Sequence, residues 1–158
     1  MIFGMTTLTF VHVVLSLVGI FSGFVVAYGL LRAKRLNGWT AVFLVSTVAT
    51  SVTGFLFPFH RLLPSHVIGV VSLIVLAVAI FARYGRRLAG AWRRTYVITA
   101  IAALYFNVFV LIAQAFMKVR VLKAMAPTQS EAPFLVAQLV VLVLFIVLGI
   151  RAAKRFGN

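Results

Sequence analysis

Five long apolar runs, separated by short polar connections, constrain the fold of this chain more than any other feature. A helix needs about 20 mostly apolar residues to cross about 30 Å of hydrocarbon. Five runs come close to that length, and the third and fifth are the shortest: residues 8–31, 39–57, 65–82, 96–117 and 134–150. Because the runs are continuous rather than alternating, they are not the strands of a membrane barrel. We therefore predict an all-α, polytopic membrane helix bundle with five transmembrane helices, forming a single domain over residues 1–158.

The composition favours a membrane location over a nucleic-acid-binding role. Hydrophobic residues make up 64% of the chain and charged residues 10%, whereas a soluble domain is nearer half apolar and a quarter charged. A net charge of +14 would ordinarily suggest nucleic acid, but the basic residues lie between the apolar runs, as they do in membrane proteins. The first run is too long for a cleaved signal peptide, and its charges come after it. We expect the lipid bilayer, and no nucleic acid, as a partner.

The distribution of lysine and arginine predicts the orientation of the bundle. Eleven of the fifteen basic residues follow the first, third and fifth runs, and four lie in the two connections on the other side. Short cytoplasmic loops carry the excess of basic residues in membrane proteins. The N-terminus is therefore predicted to lie outside and the C-terminus in the cytoplasm.

Several kinds of chemistry are excluded by residue types that the chain lacks. It contains no cysteine, so disulfides, thiolate metal sites and thiol nucleophiles are ruled out. Its one acidic residue, Glu131, cannot form a pair of catalytic carboxylates. No nucleophile motif, phosphate-binding loop, HExxH or EF-hand pattern is present. We predict no catalytic residues, which favours a protein that is not an enzyme.

Polar and small residues recur at helical spacing within the apolar runs. The first run carries His12, Ser16, Gly19 and Gly23, spaced four, three and four, which places them on one face of a helix. Lipid cannot hydrogen-bond such groups, so they are expected at contacts between helices. The favoured interpretation of this face is helix packing. Matching positions on the second and fourth runs are Ser46, Thr50, Thr53 and Asn107.

Depth in the membrane singles out a second group of polar residues. His12 lies twenty residues before Arg32, and His66 lies seventeen before Arg83. At 1.5 Å per residue, both histidines stand roughly 25–30 Å from the basic side. Gln114 and Gln138 lie one turn from the outer ends of their runs. The pattern predicts a polar layer at the outer boundary of the membrane.

Two interpretations of that layer stay open. His12, His66, Gln114 and Gln138 are candidates for binding a cofactor or small ligand, and histidines on parallel helices can serve as haem ligands. His12, His60 and His66 are candidates for a metal site. Equally, polar residues near an interface meet water at little cost, and His60 is then a solvated loop residue. The cofactor stays undetermined, because a haem or a metal ion would be compatible with the sequence without being required by it.

At "HVVLSLVGIFSG" and "APTQSEAPF" the chain resembles a family of small multi-pass bacterial inner-membrane proteins whose activity is not established. The resemblance runs over most of the chain, and it implies the bacterial cytoplasmic membrane without implying a ligand. Two functions follow from the residues. The favoured one is a non-catalytic membrane subunit that packs against itself or a larger complex. The alternative is a protein that binds haem, a metal or a quinone-like ligand at an outward-facing site around His12 and His66.

Overall fold

The computed structural model of the chain describes residues 7–34, 36–55, 64–118, 120–126 and 131–156. It is all-helical, with 90% of residues in helices and no strand over the described ranges. The predicted all-α class is therefore confirmed. The helices are α1 (Thr7–Leu31), α2 (Asn37–Gly54), α3 (Pro64–Ile80), α4 (Trp92–Lys118), α5 (Arg120–Met125) and α6 (Ala132–Phe156).

Within the described ranges, four helical segments are long and apolar enough to cross a membrane: Thr7–Leu31, Val67–Gly85, Trp92–Ala113 and Ala132–Phe156. The second predicted run also forms a helix, α2, of 18 residues. It is less apolar than the others because it begins with Asn37 and Gly38 and contains six serine and threonine residues. The described part of the chain thus has four helices suited to a membrane, a more polar helix α2, and the short helix α5.

The third, fourth and fifth runs form helices that extend by several residues past the predicted ends, and α4 begins at Trp92 rather than at residue 96. The third run continues through a π-helical turn, Phe81–Gly85, and α6 extends to Phe156. Helices continue past the hydrocarbon layer because ending them there would leave backbone groups without hydrogen bonds. Basic residues such as Lys154 stabilise the last turn of α6, because their positive charge interacts favourably with the negative end of the helix dipole. The short helix α5 was not predicted at all.

The long helix α4 is the centre of the bundle. It packs against α1, α3 and α6, and it also touches α2. Its antiparallel course relative to α6 is shown by two ring contacts. Phe116 lies 5.4 Å from Phe134 at one end, and Tyr96 lies 6.2 Å from Phe156 at the other. Helices α1 to α3 pack around α4 together with α6, whose Phe145, Ala152 and Phe156 belong to the buried core.

The most extensive helix pairing joins α1 to α2, and glycines on α1 make it close. A Cβ atom added at Gly23 would lie 2.5 Å from Leu104 Cδ1 and 3.0 Å from Phe43 Cε1. A Cβ at Gly19 would lie 3.0 Å from Thr47 Oγ1. Pairs of small residues four positions apart let membrane helices approach in this way. The face predicted from spacing therefore points into the protein.

The basic end of the bundle is held by buried polar and aromatic contacts. The Arg83 guanidinium is buried, donates from Nη2 to Asn37 Oδ1 at 2.6 Å, and lies 5.2 Å from the centre of the Tyr96 ring. Arg93 Nε donates to the carbonyl oxygen of Phe156. These contacts join the start of α2, the turn after α3, the start of α4 and the end of α6. The clusters of basic residues that follow α1 and α3 and those at the end of α6 therefore share one end.

Candidate functional site

A cluster of polar groups lies between α1, α2 and α4. Ser16 Oγ donates to Asn107 Oδ1 at 3.1 Å, and Asn107 Nδ2 reaches back to the Ser16 carbonyl oxygen at 3.5 Å. A Cβ at Gly19 would lie 3.1 Å from Asn107 Nδ2 and 3.3 Å from Ser46 Oγ. The side chains of Ser46, Thr47 and Asn107 thus pack directly against the backbone of Gly19. The arrangement leaves no room there for a ligand.

Most hydroxyl groups of the cluster bond within their own helix. Ser46 Oγ donates to the Val42 carbonyl at 2.6 Å, and Thr50 Oγ1 donates to the Ser46 carbonyl at 2.7 Å. Ser22 on α1 does the same toward Val18 at 2.7 Å. Serine and threonine hydroxyls in helices commonly donate their hydrogen bond to a backbone carbonyl one turn earlier. These contacts agree with the packing interpretation of the polar face.

His12 contacts α2 near its outer end. Its Nδ1 atom lies 2.9 Å from Thr53 Oγ1, and the Thr53 hydroxyl lies 2.8 Å from the Ala49 carbonyl, to which it donates. A hydroxyl has one hydrogen, so when Thr53 donates to Ala49 it can only accept from His12, and a neutral ring in that arrangement carries its hydrogen on Nδ1. The Nε2 atom then carries the lone pair. The ring packs beside Gly54, where a Cβ would lie 3.5 Å from His12 Cε1, an ordinary contact distance.

The other two histidines were paired with His12 in the predicted ligand and metal sites. His60 lies outside the described residues, and His66 is placed by its backbone in the first turn of α3, with its side chain also outside them. The helix of His12 packs against α2, α4 and α6, whereas α3 packs against α2 and α4. Over the described side chains, no group of three histidine or acidic residues could hold a metal. The shared site therefore stays a prediction.

Of the two glutamines predicted to line the site, the structure describes the side chain of Gln138 only. The side chain of Gln114 lies outside the described residues, although its backbone belongs to α4. Gln138 is buried, and its Nε2 donates to the Phe109 carbonyl at 3.2 Å. Its Oε1 atom is buried without a hydrogen-bond partner among the described residues. Gln138 therefore contacts α4, and His12 contacts α2, so these two side chains take part in different helix contacts.

Sequence reasoning missed the burial of Arg83. It was counted as one of the basic residues in a cytoplasmic connection, but only 6% of its surface is exposed. The π-helical turn carries it back toward Asn37 and Tyr96. No pattern in the sequence distinguishes it from Arg86 or Arg87, which are exposed. Its position directly after an apolar run was the one available signal.

Comparison with known proteins adds no relative. No protein-family model matches the chain, and no curated protein or solved structure is similar to it at a significant level. The resemblance to bacterial inner-membrane proteins stays an expectation from the sequence.

Proposed function

We propose that this protein is a five-span helix bundle of a bacterial cytoplasmic membrane that serves as a non-catalytic subunit, assembling with itself or with a larger membrane complex. The observation that carries the proposal is the use of the interior polar groups. Ser16 and Asn107 bond to each other, and the Ser46 and Thr50 hydroxyls bond to their own helix. Thr47 Oγ1 is buried between the helices without a hydrogen-bond partner among the described residues. A binding site among these polar groups would instead present a concave, mostly apolar pocket there, with a few oriented polar groups.

The contacts between α1 and α2 support a fifth span. Phe43, Thr47 and Thr53 of α2 meet Gly23, Gly19 and His12 of α1 in turn. From first to last contact the chain advances ten residues along α2 and eleven along α1, which is about 15 and about 17 Å of helix. A helix packed lengthwise against a membrane span lies at the same depth. The hydroxyls of α2 then cost little, because they face α1 or their own backbone rather than lipid.

The shared basic end supports the predicted orientation. Residues after α1, after α3 and at the end of α6 bring eleven of the fifteen lysines and arginines to one side. Membrane proteins keep such residues in the cytoplasm. An outside N-terminus and a cytoplasmic C-terminus follow from this rule for five spans.

The exposure of α6 supports a role in assembly. Only 17% of its membrane-spanning window is buried, compared with 44% for α4. Val136, Val140, Val143 and Val147 are all exposed, at a spacing that places them on one face. In a membrane complex this valine face is a surface of the bundle that a partner helix can pack against.

The proposal is tested by purifying the protein in mild detergent and measuring two quantities. Light scattering gives the mass of protein in the particle, and we expect a multiple of 17.3 kDa or a stable complex with another chain. Absorption and metal analysis give the cofactor content, and we expect neither a Soret band nor one metal per chain. A monomer would contradict the assembly role. A Soret band or a stoichiometric metal would favour the second candidate.

That second candidate function is the binding of a cofactor or small ligand at the outer end of the bundle. The geometry of His12 specifically favours it. Histidines that bind metals donate their other ring hydrogen to a protein acceptor, which fixes the tautomer. Thr53 fills this role for His12. If the site exists, His12→Ala abolishes the cofactor signal, whereas Thr53→Val weakens it and keeps the ligating atom. An unchanged signal in His12→Ala would remove His12 from the site.

A further inference from the structure

A groove runs between α4 and α6. Its volume is about 550 Å³ and its lining is almost entirely apolar. Small residues, Ala102, Gly149 and Ala153, leave the space open, and Tyr105 lies beside them. Arg94 and Lys154 line the groove at its basic end. We call this feature the α4–α6 groove.

The length of the groove matches one leaflet of a bilayer. Its lining extends from Arg94 to Tyr105 along α4 and from Leu142 to Lys154 along α6. These stretches correspond to about 16 and about 18 Å of helix. Half of a hydrocarbon layer about 30 Å thick is about 15 Å. Because α4 and α6 are antiparallel, the groove begins at the basic end and ends near the middle of the membrane.

We propose that the α4–α6 groove binds one anionic phospholipid, with an acyl chain along the apolar lining and the phosphate at Arg94 and Lys154. Both cations are exposed at the end of the groove, where long basic side chains reach the headgroup layer. Basic pockets between membrane helices are known to recognise phospholipid headgroups. The charge and the apolar length therefore select the same ligand class.

A second copy of this chain fits the groove less well. Copies in one membrane have the same orientation, so the basic end of one meets the basic end of the other at the same depth. The chain has one acidic residue, Glu131, which precedes the first residue of α6 at the opposite end. A copy would thus bring like charges to Arg94 and Lys154, while the one acidic side chain lies at the opposite end.

The test uses the purified full-length chain in detergent and native mass spectrometry. The protein is titrated with dioleoyl phosphatidylglycerol or with dioleoyl phosphatidylcholine, which differ in charge and share their acyl chains. We expect one phosphatidylglycerol to bind more tightly than phosphatidylcholine. The double variant Arg94→Gln/Lys154→Gln should lose about 30-fold in affinity for phosphatidylglycerol, which corresponds to about a fivefold loss for each charge. The variant Arg151→Gln/Arg155→Gln, which removes two exposed charges from the same helix end outside the groove, should change the affinity less than threefold.

A second variant tests the apolar part of the groove. A Cβ at Gly149 would meet Ile101 at 3.7 Å, an ordinary contact, so Gly149→Leu fills the groove without forcing the helices apart. We expect it to reduce the binding of both lipids at an unchanged melting temperature. Equal affinity for the two lipids in the wild type would overturn the proposal. So would an equal loss in the two charge variants, because that result indicates diffuse attraction rather than a site.

Discussion

Replacing Gly23 with leucine tests the packing of α1 most sharply. The Cβ atom alone would lie 2.5 Å from Leu104 Cδ1 and 3.0 Å from Phe43 Cε1, whereas carbon atoms in contact are about 3.5–4.0 Å apart. Both neighbours are 1% exposed, so neither can move into open space. Three further carbons then have to be accommodated, which means that the helices must separate.

The expected cost comes from measured overpacking of protein cores. Added carbons typically cost about 1–3 kcal/mol, and the overlap at Gly23 puts this variant at the upper end. For a chain of this size, a loss of about 3 kcal/mol lowers the melting temperature by about 6–12 °C. Thermal unfolding in one detergent, followed by circular dichroism, measures the change.

The matched control is Gly149→Leu, the same substitution within α6. Its new side chain enters the α4–α6 groove, so we expect a change within about 0.5 kcal/mol, as for surface substitutions. Equal melting temperatures for the two variants would refute the reasoning, because they would show that the glycine face of α1 is not in close contact with α2 and α4.

Three further predictions concern the buried polar groups. Asn107→Leu removes the amide that bonds to Ser16 and should cost about 1 kcal/mol, as hydrogen bonds between membrane helices do, measured by thermal unfolding; no loss would show that this bond contributes nothing. Thr53→Val removes the acceptor for His12 Nδ1, so nitrogen NMR should show the ring changing from one tautomer to a mixture; an unchanged spectrum would contradict the tautomer assigned here. Gln138→Leu removes a buried Oε1 atom that has no hydrogen-bond partner in the described part of the chain. It should leave the melting temperature unchanged or raise it, because the Phe109 carbonyl is also an acceptor within its own helix. A clear decrease would show that the amide is held by a stronger bond.

The helices were predictable because the strongest signal in this sequence is hydropathy. Each of the five runs became a helix, and the spacing of Ser16, Gly19 and Gly23 identified the face of α1 that packs inward. Depth could be counted from the basic residues at 1.5 Å per residue. Such counting places residues along the membrane normal, but it does not give the direction in which each helix faces. For that reason it could not show that His12 meets α2 and that Gln138 meets α4.

Other features depend on contacts between distant parts of the chain. Arg83 is buried because the turn after α3 meets the start of α2, and hydropathy treats it like any other basic loop residue. The α4–α6 groove exists because small residues of two helices, Ala102 and Gly149 among them, face one another. A single sequence records each residue but not this pairing. The helix ends were also misjudged, because hydropathy stops where a helix continues through the interface, as α6 does to Phe156.

The measurement that tests the central claim most directly is the side of the membrane on which each connection lies. The chain has no cysteine, so single cysteines can be introduced without further changes at Gly38, Ala91 and Met125, all of which are exposed. Intact spheroplasts are treated with a thiol reagent that does not cross membranes, and lysed cells serve as the control. Five spans with an outside N-terminus predict labelling of Met125→Cys in intact spheroplasts and of Gly38→Cys and Ala91→Cys only after lysis. If Gly38→Cys and Ala91→Cys report opposite sides, α2 does not cross the membrane and the five-span bundle is wrong.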